Sequence, residues 1–186
     1  MGCESRMIWV DIEMTGLDIK RDRILEVAAL ITDKNLSIIA EVSQDLIVHQ
    51  PREVLDGVDD WCKETHGKNG LTEESLKSEI TIEQADKMLV EFLRNHTPYK
   101  KCPLAGNSVY SDKKFMEIFM PLSFDHMFHR VIDVSSISEV LIRWNPEIRF
   151  YDISKPRHRA LDDIKRSVRQ LRFYKKMVFD KLAQVN

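Results

Sequence analysis

An α/β fold organised on a mixed sheet is what this sequence predicts, and three observations predict it. Apolar runs at 7–13, 24–32 and 36–48 follow one another with little but turn chemistry between them, which reads as an opening three-strand meander. Beyond Pro51 the apolar period becomes helical. Two further strand-like segments then alternate with helical ones, an arrangement that covers a sheet with helices.

The elements follow in order. Met7 to Glu13 is rich in Ile, Val and Trp and ends at Thr15-Gly16, so it reads as a buried strand entering a loop. Ile24 to Thr32 is a second strand, Asp33-Lys34-Asn35 supplies the turn, and Leu36 to Val48 continues as the third. Thr81-Ile82-Glu83-Gln84 is a capping box opening a helix with Ala85, Leu89, Phe92 and Leu93 on its apolar face. Leu104-Ala105 is a short strand before Gly106, and Tyr110 to Met120 a helix stopped by Pro121. Arg130 to Val134 has strand character and Ser135 to Trp144 helical character. A final long helix carries Ala160, Ile164, Val168, Leu171 and Val178 on one face.

The 186 residues suit one domain, with residues 1–6 expected to be a flexible start. With 43% hydrophobic and 31% charged residues the chain falls outside the disordered and membrane classes, and no run approaches a spanning helix. Neither a signal peptide nor an Arg-rich presequence is visible, and Arg6 stands where a myristoylation motif needs Ser or Thr. The expected location is intracellular and cytoplasmic, with mitochondrial import not readable from this chain. Cys3, Cys62 and Cys102 are odd in number and form no CxxC pair, which argues for a reducing compartment. Cys62 and His66 have the spacing of half a zinc site, but no second Cys/His pair completes it.

Asp11 and Glu13 lie two apart in a strand and so share one face of the sheet, where both can reach a single metal. Carboxylates on the buried side of an apolar strand are costly without a positive charge beside them. Asp112, after Gly106-Asn107-Ser108, stands near a helix start. His158 and Asp163 are five apart, on different sides of any continuous helix, so a shared site requires His158 in the loop before it. Spacing alone pairs His158 equally well with Asp162, and both aspartates also suit a helix N-terminus electrostatically. The crowd of cations from Lys155 to Lys181, set against a net charge of -2, reads as a solvated helix face or a surface for a short anion.

Together these residues resemble the DEDDh exonucleases, whose blocks read D-x-E, an Asp on a helix, and H-x4-D; that pattern selects Asp163. More narrowly, Trp9 to Leu17, Asp60 to Glu64, Leu104 to Ser108 and His158 to Ile164 are similar to the oligoribonuclease family, over about residues 7 to 175. The resemblance implies a ribonuclease H-like fold and two Mg2+ or Mn2+ ions. It also implies stepwise 3′→5′ release of nucleoside monophosphates from short single-stranded RNA. Asp11, Glu13, Asp112 and Asp163 would hold the metals and His158 would be the general base. Leu17 would wedge between bases, with Trp61 and His66 lining the pocket. Ser108, Arg130 and Ser135, helped by Ser136, would cap the 5′ phosphate. His129 stands where the family has a Tyr that reaches across a homodimer, so residues 128–130 would serve the neighbouring subunit's site. Taken singly, Leu17 also suits a loop anchor, Trp61 core packing and His66 a surface helix position.

Two other functions share these motifs: a broader DEDDh exonuclease on longer RNA or DNA, and a non-catalytic nucleic-acid scaffold. Substrate length separates the first from the leading reading, and metal-dependent release of monophosphates excludes the second.

Overall fold

The computed structural model describes residues 3–42, 46–150 and 158–182. Its strands are β1 (Met7–Met14), β2 (Ile24–Thr32), β3 (Ile38–Glu41), β4 (Leu46–Ile47), β5 (Pro103–Gly106) and β6 (Phe128–Asp133). Its helices are α1 (Arg52–Asp56), α2 (Asp60–Lys68), α3 (Leu71–Lys77), α4 (Ile82–His96), α5 (Tyr110–Phe119), α6 (Pro121–His126), α7 (Val134–Trp144), α8 (Ala160–Tyr174) and α9 (Asp180–Leu182). One mixed sheet runs in the order β3-β2-β1-β5-β6, with β4 also pairing with β2. The β1–β2 and β2–β3 pairs are antiparallel, and β1–β5 and β5–β6 are parallel.

The period of two along β1 divides its side chains between two cores. Ile8, Val10 and Ile12 enter the core roofed by α4, α5 and α6, whereas Met7 and Trp9 enter the one beneath α7 and α8. Asp11 and Glu13 continue the Met7–Trp9 face by the same period, so the acidic end of β1 lies on the α8 side. The neighbouring strand β2 is buried over its whole length, Glu26 included. A third, smaller cluster of Leu25, Leu55 and Leu71 seats α1 and α3.

The structure departs from the sequence reading at several boundaries. The third strand is divided, β3 pairing with Leu30 to Thr32 and β4 with Glu26–Val27; residues 43–45 lie outside the described residues. Pro121 ends α5 but also opens α6 as its first residue, where the missing N–H has no partner to lose. Asp86 of α4 accepts the next two amides of α6, Leu122 and Ser123, each at 2.9 Å. The long C-terminal helix stops at Tyr174 and continues as a π turn, Lys175–Phe179, with Val178 still packed on the second core. At the start, Cys3–Ser5 forms a 3-10 turn whose Cys3 carbonyl accepts the Cys102 thiol at 3.3 Å.

Phe115 is fully buried one turn beyond Asp112 and fixes α5 against the sheet. Phe115→Ala should lower stability by about 3–5 kcal/mol, read from urea unfolding, with the midpoint falling at constant m-value.

Candidate active site

The site forms where β1 outruns its parallel neighbour. β5 pairs with Ile8 and Trp9 and ends at Gly106, so the amide of Ile12 has no strand to meet on that side. Asp112, in the first turn of α5, fills the gap: its Oδ1 accepts the Ile12 amide at 2.9 Å. From the face of the sheet, α8 brings Asp163 over Asp11 and Glu13, and one carboxylate oxygen of each of these three lies within 4.8 Å of the others. Asp162, the alternative by spacing, is exposed.

Neighbouring, partly or fully buried acids change one another's chemistry. Burial, then the charges of Asp112, Glu13 and Asp163, raises Asp11 well above the usual carboxylate range. Burial and the Asp163 charge raise Glu13 to about 8, and burial raises Asp112 to about 7. Asp163 is raised by burial and drawn back by His158. An all-oxygen donor set crowded enough to hold protons near neutrality is a fit for a hard divalent cation, which would take the protons' place.

His158 lies in the loop immediately before α8, as a shared site requires, with φ of 50°. A left-handed backbone at a residue other than glycine is strained and persists only where the surroundings hold it. Its ring and that of Trp61 form a T-shaped pair, 5.6 Å between centroids. Ser108 adopts the same region, with φ of 51°.

Leu17 and Trp61 are exposed, at 71% and 58%. Trp61 is therefore not core packing, and the loop carrying Leu17 is built by Asp22. The Asp22 carboxylate accepts the Thr15 hydroxyl at 2.9 Å and the Asp18 amide at 2.8 Å. It presses so closely on Gly16 that an added Cβ would sit 2.5 Å from Asp22 Oδ2. His66 reverses the surface expectation: it is buried, with Nε2 3.2 Å from the Met14 carbonyl and Nδ1 unpartnered, so Nε2 carries the proton. Burial lowers its pKa, in keeping with a neutral ring. The Cys62 thiol is buried beside the same carbonyl and raised to about 12, a packed thiol rather than a metal ligand.

At the start of α7, Asp133 Oδ1 accepts the amides of Ser108 (3.0 Å) and Ser135 (2.9 Å) and the Ser135 hydroxyl (2.6 Å). Asp133 thus assembles the two serines beside a helix N-terminus, a setting suited to phosphate. Ser136 is exposed in the same turn. His129 and Arg130 are exposed on β6, the sheet's edge strand, and are the extra residues of a bulge: Pro103 pairs with Phe128, but Leu104 already pairs with Val131. The C-terminal cations are mostly engaged within the chain, Lys165 with Glu41 and Arg172 with the Leu36 carbonyl; Lys155 and Arg157 lie outside the described residues.

Sequence reasoning missed Glu26, Asn69 and Arg159 around His158, and Asp22 and Asp133 in the two loops. Glu26 carried a signal, being the one charge inside the run Ile24 to Thr32. The others carried none, because polar residues in loops are ordinary.

An acidic cluster across β1, α5 and α8, with a histidine just before α8, is a nuclease arrangement. Residues 8–171 match the RNase_T exonuclease family, to which this chain belongs. Within it the chain is an oligoribonuclease-family protein. It is 51% identical over 178 residues to the human protein named "Oligoribonuclease, mitochondrial", covering 95% of this chain and 75% of that one. It is 47% identical to a probable oligoribonuclease of Dictyostelium discoideum, covering 94% and 91%. The ribonuclease H-like fold is shared with exonuclease I of Methylocaldum szegediense, at a TM-score of 0.72 and 16% identity over 92% of this chain; the chain spans 40% of that larger one.

Two predictions follow from the geometry of the site. The raised carboxyls keep protons in the folded chain that the unfolded chain releases from about pH 4 upward, so their contribution turns against folding until about pH 8. The thermal midpoint of metal-free protein should fall between about pH 5 and 8, and Mg2+ or Mn2+ at pH 8 should restore it. Gly16→Ala should displace the loop bearing Leu17 and raise KM for a dinucleotide, with metal affinity, measured by calorimetry, unchanged.

Proposed function

We propose that this chain removes nucleoside 5′-monophosphates from the 3′ end of very short RNA, dinucleotides especially. The observation that carries the reading is the convergence of Asp11, Glu13 and Asp163 within 4.8 Å at the end of β1. Membership of the oligoribonuclease family supports the substrate class.

Asp11, Glu13 and Asp163 would hold one divalent ion, and Asp112, whose charge acts strongly on Asp11, would help hold a second. Bound there, Mg2+ or Mn2+ would polarise the phosphodiester and offset its developing negative charge. His158 takes the proton of the attacking water, a general-base role that imidazole fills. Leu17 and Trp61 offer exposed apolar surface to the bases, and His66 acts from beneath by fixing the Met14 carbonyl next to Glu13. Ser108 and Ser135, with Arg130, receive the 5′ phosphate through charge-assisted hydrogen bonds. The exposure of His129 and Arg130 on the edge strand supports a homodimer in which residues 128–130 complete the neighbour's site. Three free cysteines favour a reducing, intracellular compartment. No helix among the described residues is long and apolar enough to cross a membrane.

A 5′-labelled dinucleotide should be cleaved to monophosphates only with Mg2+ or Mn2+, faster than a long single strand is shortened, and not by Asp112→Asn. Equal or faster attack on long RNA or DNA would make it a broader exonuclease, and no cleavage with either metal would make it a binding protein. His158→Ala should lower turnover by roughly 10²- to 10⁴-fold with metal binding intact.

A further inference from the structure

Around His158 lies a set of polar contacts made by residues other than the four acids. Arg159 directs its guanidinium onto two glutamates from different elements. Its Nε and Nη2 meet the Glu26 carboxylate at 3.0 and 2.8 Å, and its Nη groups meet Glu74 of α3 at 3.3 and 2.9 Å. Glu26 is fully buried on β2 and also accepts the Ala160 amide at 3.1 Å, so one carboxylate holds both the side chain of Arg159 and the first turn of α8. From the other side, Asn69 at the end of α2 donates its Nδ2 to the His158 carbonyl at 2.6 Å and anchors itself by accepting the Leu71 amide at 3.0 Å.

Each contact has an alternative explanation in isolation, since Arg159 neutralises a buried acid and Asn69 braces the turn between α2 and α3. Their convergence on the residues on either side of one peptide does not. His158 sits at φ of 50°, a conformation that a loop free to relax would leave. A bidentate fork on one side and a short amide hydrogen bond on the other are the restraints that hold it there.

We propose that Arg159 and Asn69 are positioning residues for His158, the Glu26–Arg159–Glu74 clamp and the Asn69 hydrogen bond together holding the histidine's backbone where its imidazole addresses the acidic pocket. This rests on the reading of His158 as the general base. The guanidinium fork is essential to it: a lysine keeps the charge but cannot bridge both glutamates in the same plane.

The test is a double-mutant cycle on the full chain at saturating Mn2+ with a 5′-labelled dinucleotide. Arg159→Gln should lower kcat about ten- to hundredfold, the range expected when a reacting group is misplaced by about an ångström, with KM and the Mn2+ half-saturation moved by less than about threefold. In a His158→Ala background the same substitution should change kcat by less than about twofold, because the group it positions is gone. Equal losses in both backgrounds, with His158→Ala itself impaired, overturn the positioning role and leave the base reading standing. Near-normal turnover in His158→Ala overturns both. Should circular dichroism show Arg159→Gln unfolded, Arg159→Lys and Asn69→Ala carry the same cycle and the same criteria.

Discussion

Burial of carboxylates, sharpened at Asp11 and Glu13 by neighbouring negative charge, is the constraint around which this molecule is arranged. Asp11, Glu13, Asp112 and Asp163 come from a strand and two helices far apart in the chain, and each is less willing to ionise because of burial and, for Asp11 and Glu13, because of the others. Such a cluster opposes folding unless the rest of the structure offsets it. The two hydrophobic cores supply that offset, which is why the acids sit at the C-terminal end of a strand whose N-terminal half is entirely apolar.

Local compensation is divided by type. Asp112 is steadied by a backbone amide left free where β5 ends, whereas Glu26, a fifth acid opposite Glu13 in the β1–β2 ladder, is matched by Arg159. Arg159 draws Glu13 back a little, and His158 and Arg166 draw back Asp163, but burial outweighs them, and Asp11, Glu13 and Asp163 all stay raised. Glu26, by contrast, is matched by a guanidinium that meets both of its carboxylate oxygens. The strained backbone at His158 and at Ser108 is met in each case by a side chain from another element, Asn69 at the first and Asp133 at the second.

The period of two placed Asp11 and Glu13 on one face of β1, and the geometry of a helix forced His158 into the loop before α8; both readings hold because they depend on neighbours only a few residues apart. Spacing does not choose Asp163 over Asp162; the resemblance selects Asp163, and α8 brings its carboxylate to Asp11 and Glu13. Trp61 and His66 exchange their ordinary places, the tryptophan exposed and the histidine buried with its Nε2 on the Met14 carbonyl. Composition has no means of announcing that reversal.

What the sequence determined by itself is therefore local: which segments are extended and which helical, where the capping box opens α4, and that Asp11 and Glu13 share one face of β1. The tertiary structure decided which acids meet, that Glu26 and Arg159 form a clamp across 133 positions of chain, and that His158 is held in a left-handed turn. Periodicity is written in adjacent residues, but the partner of a buried charge is selected by packing, and packing is a property of the whole chain at once.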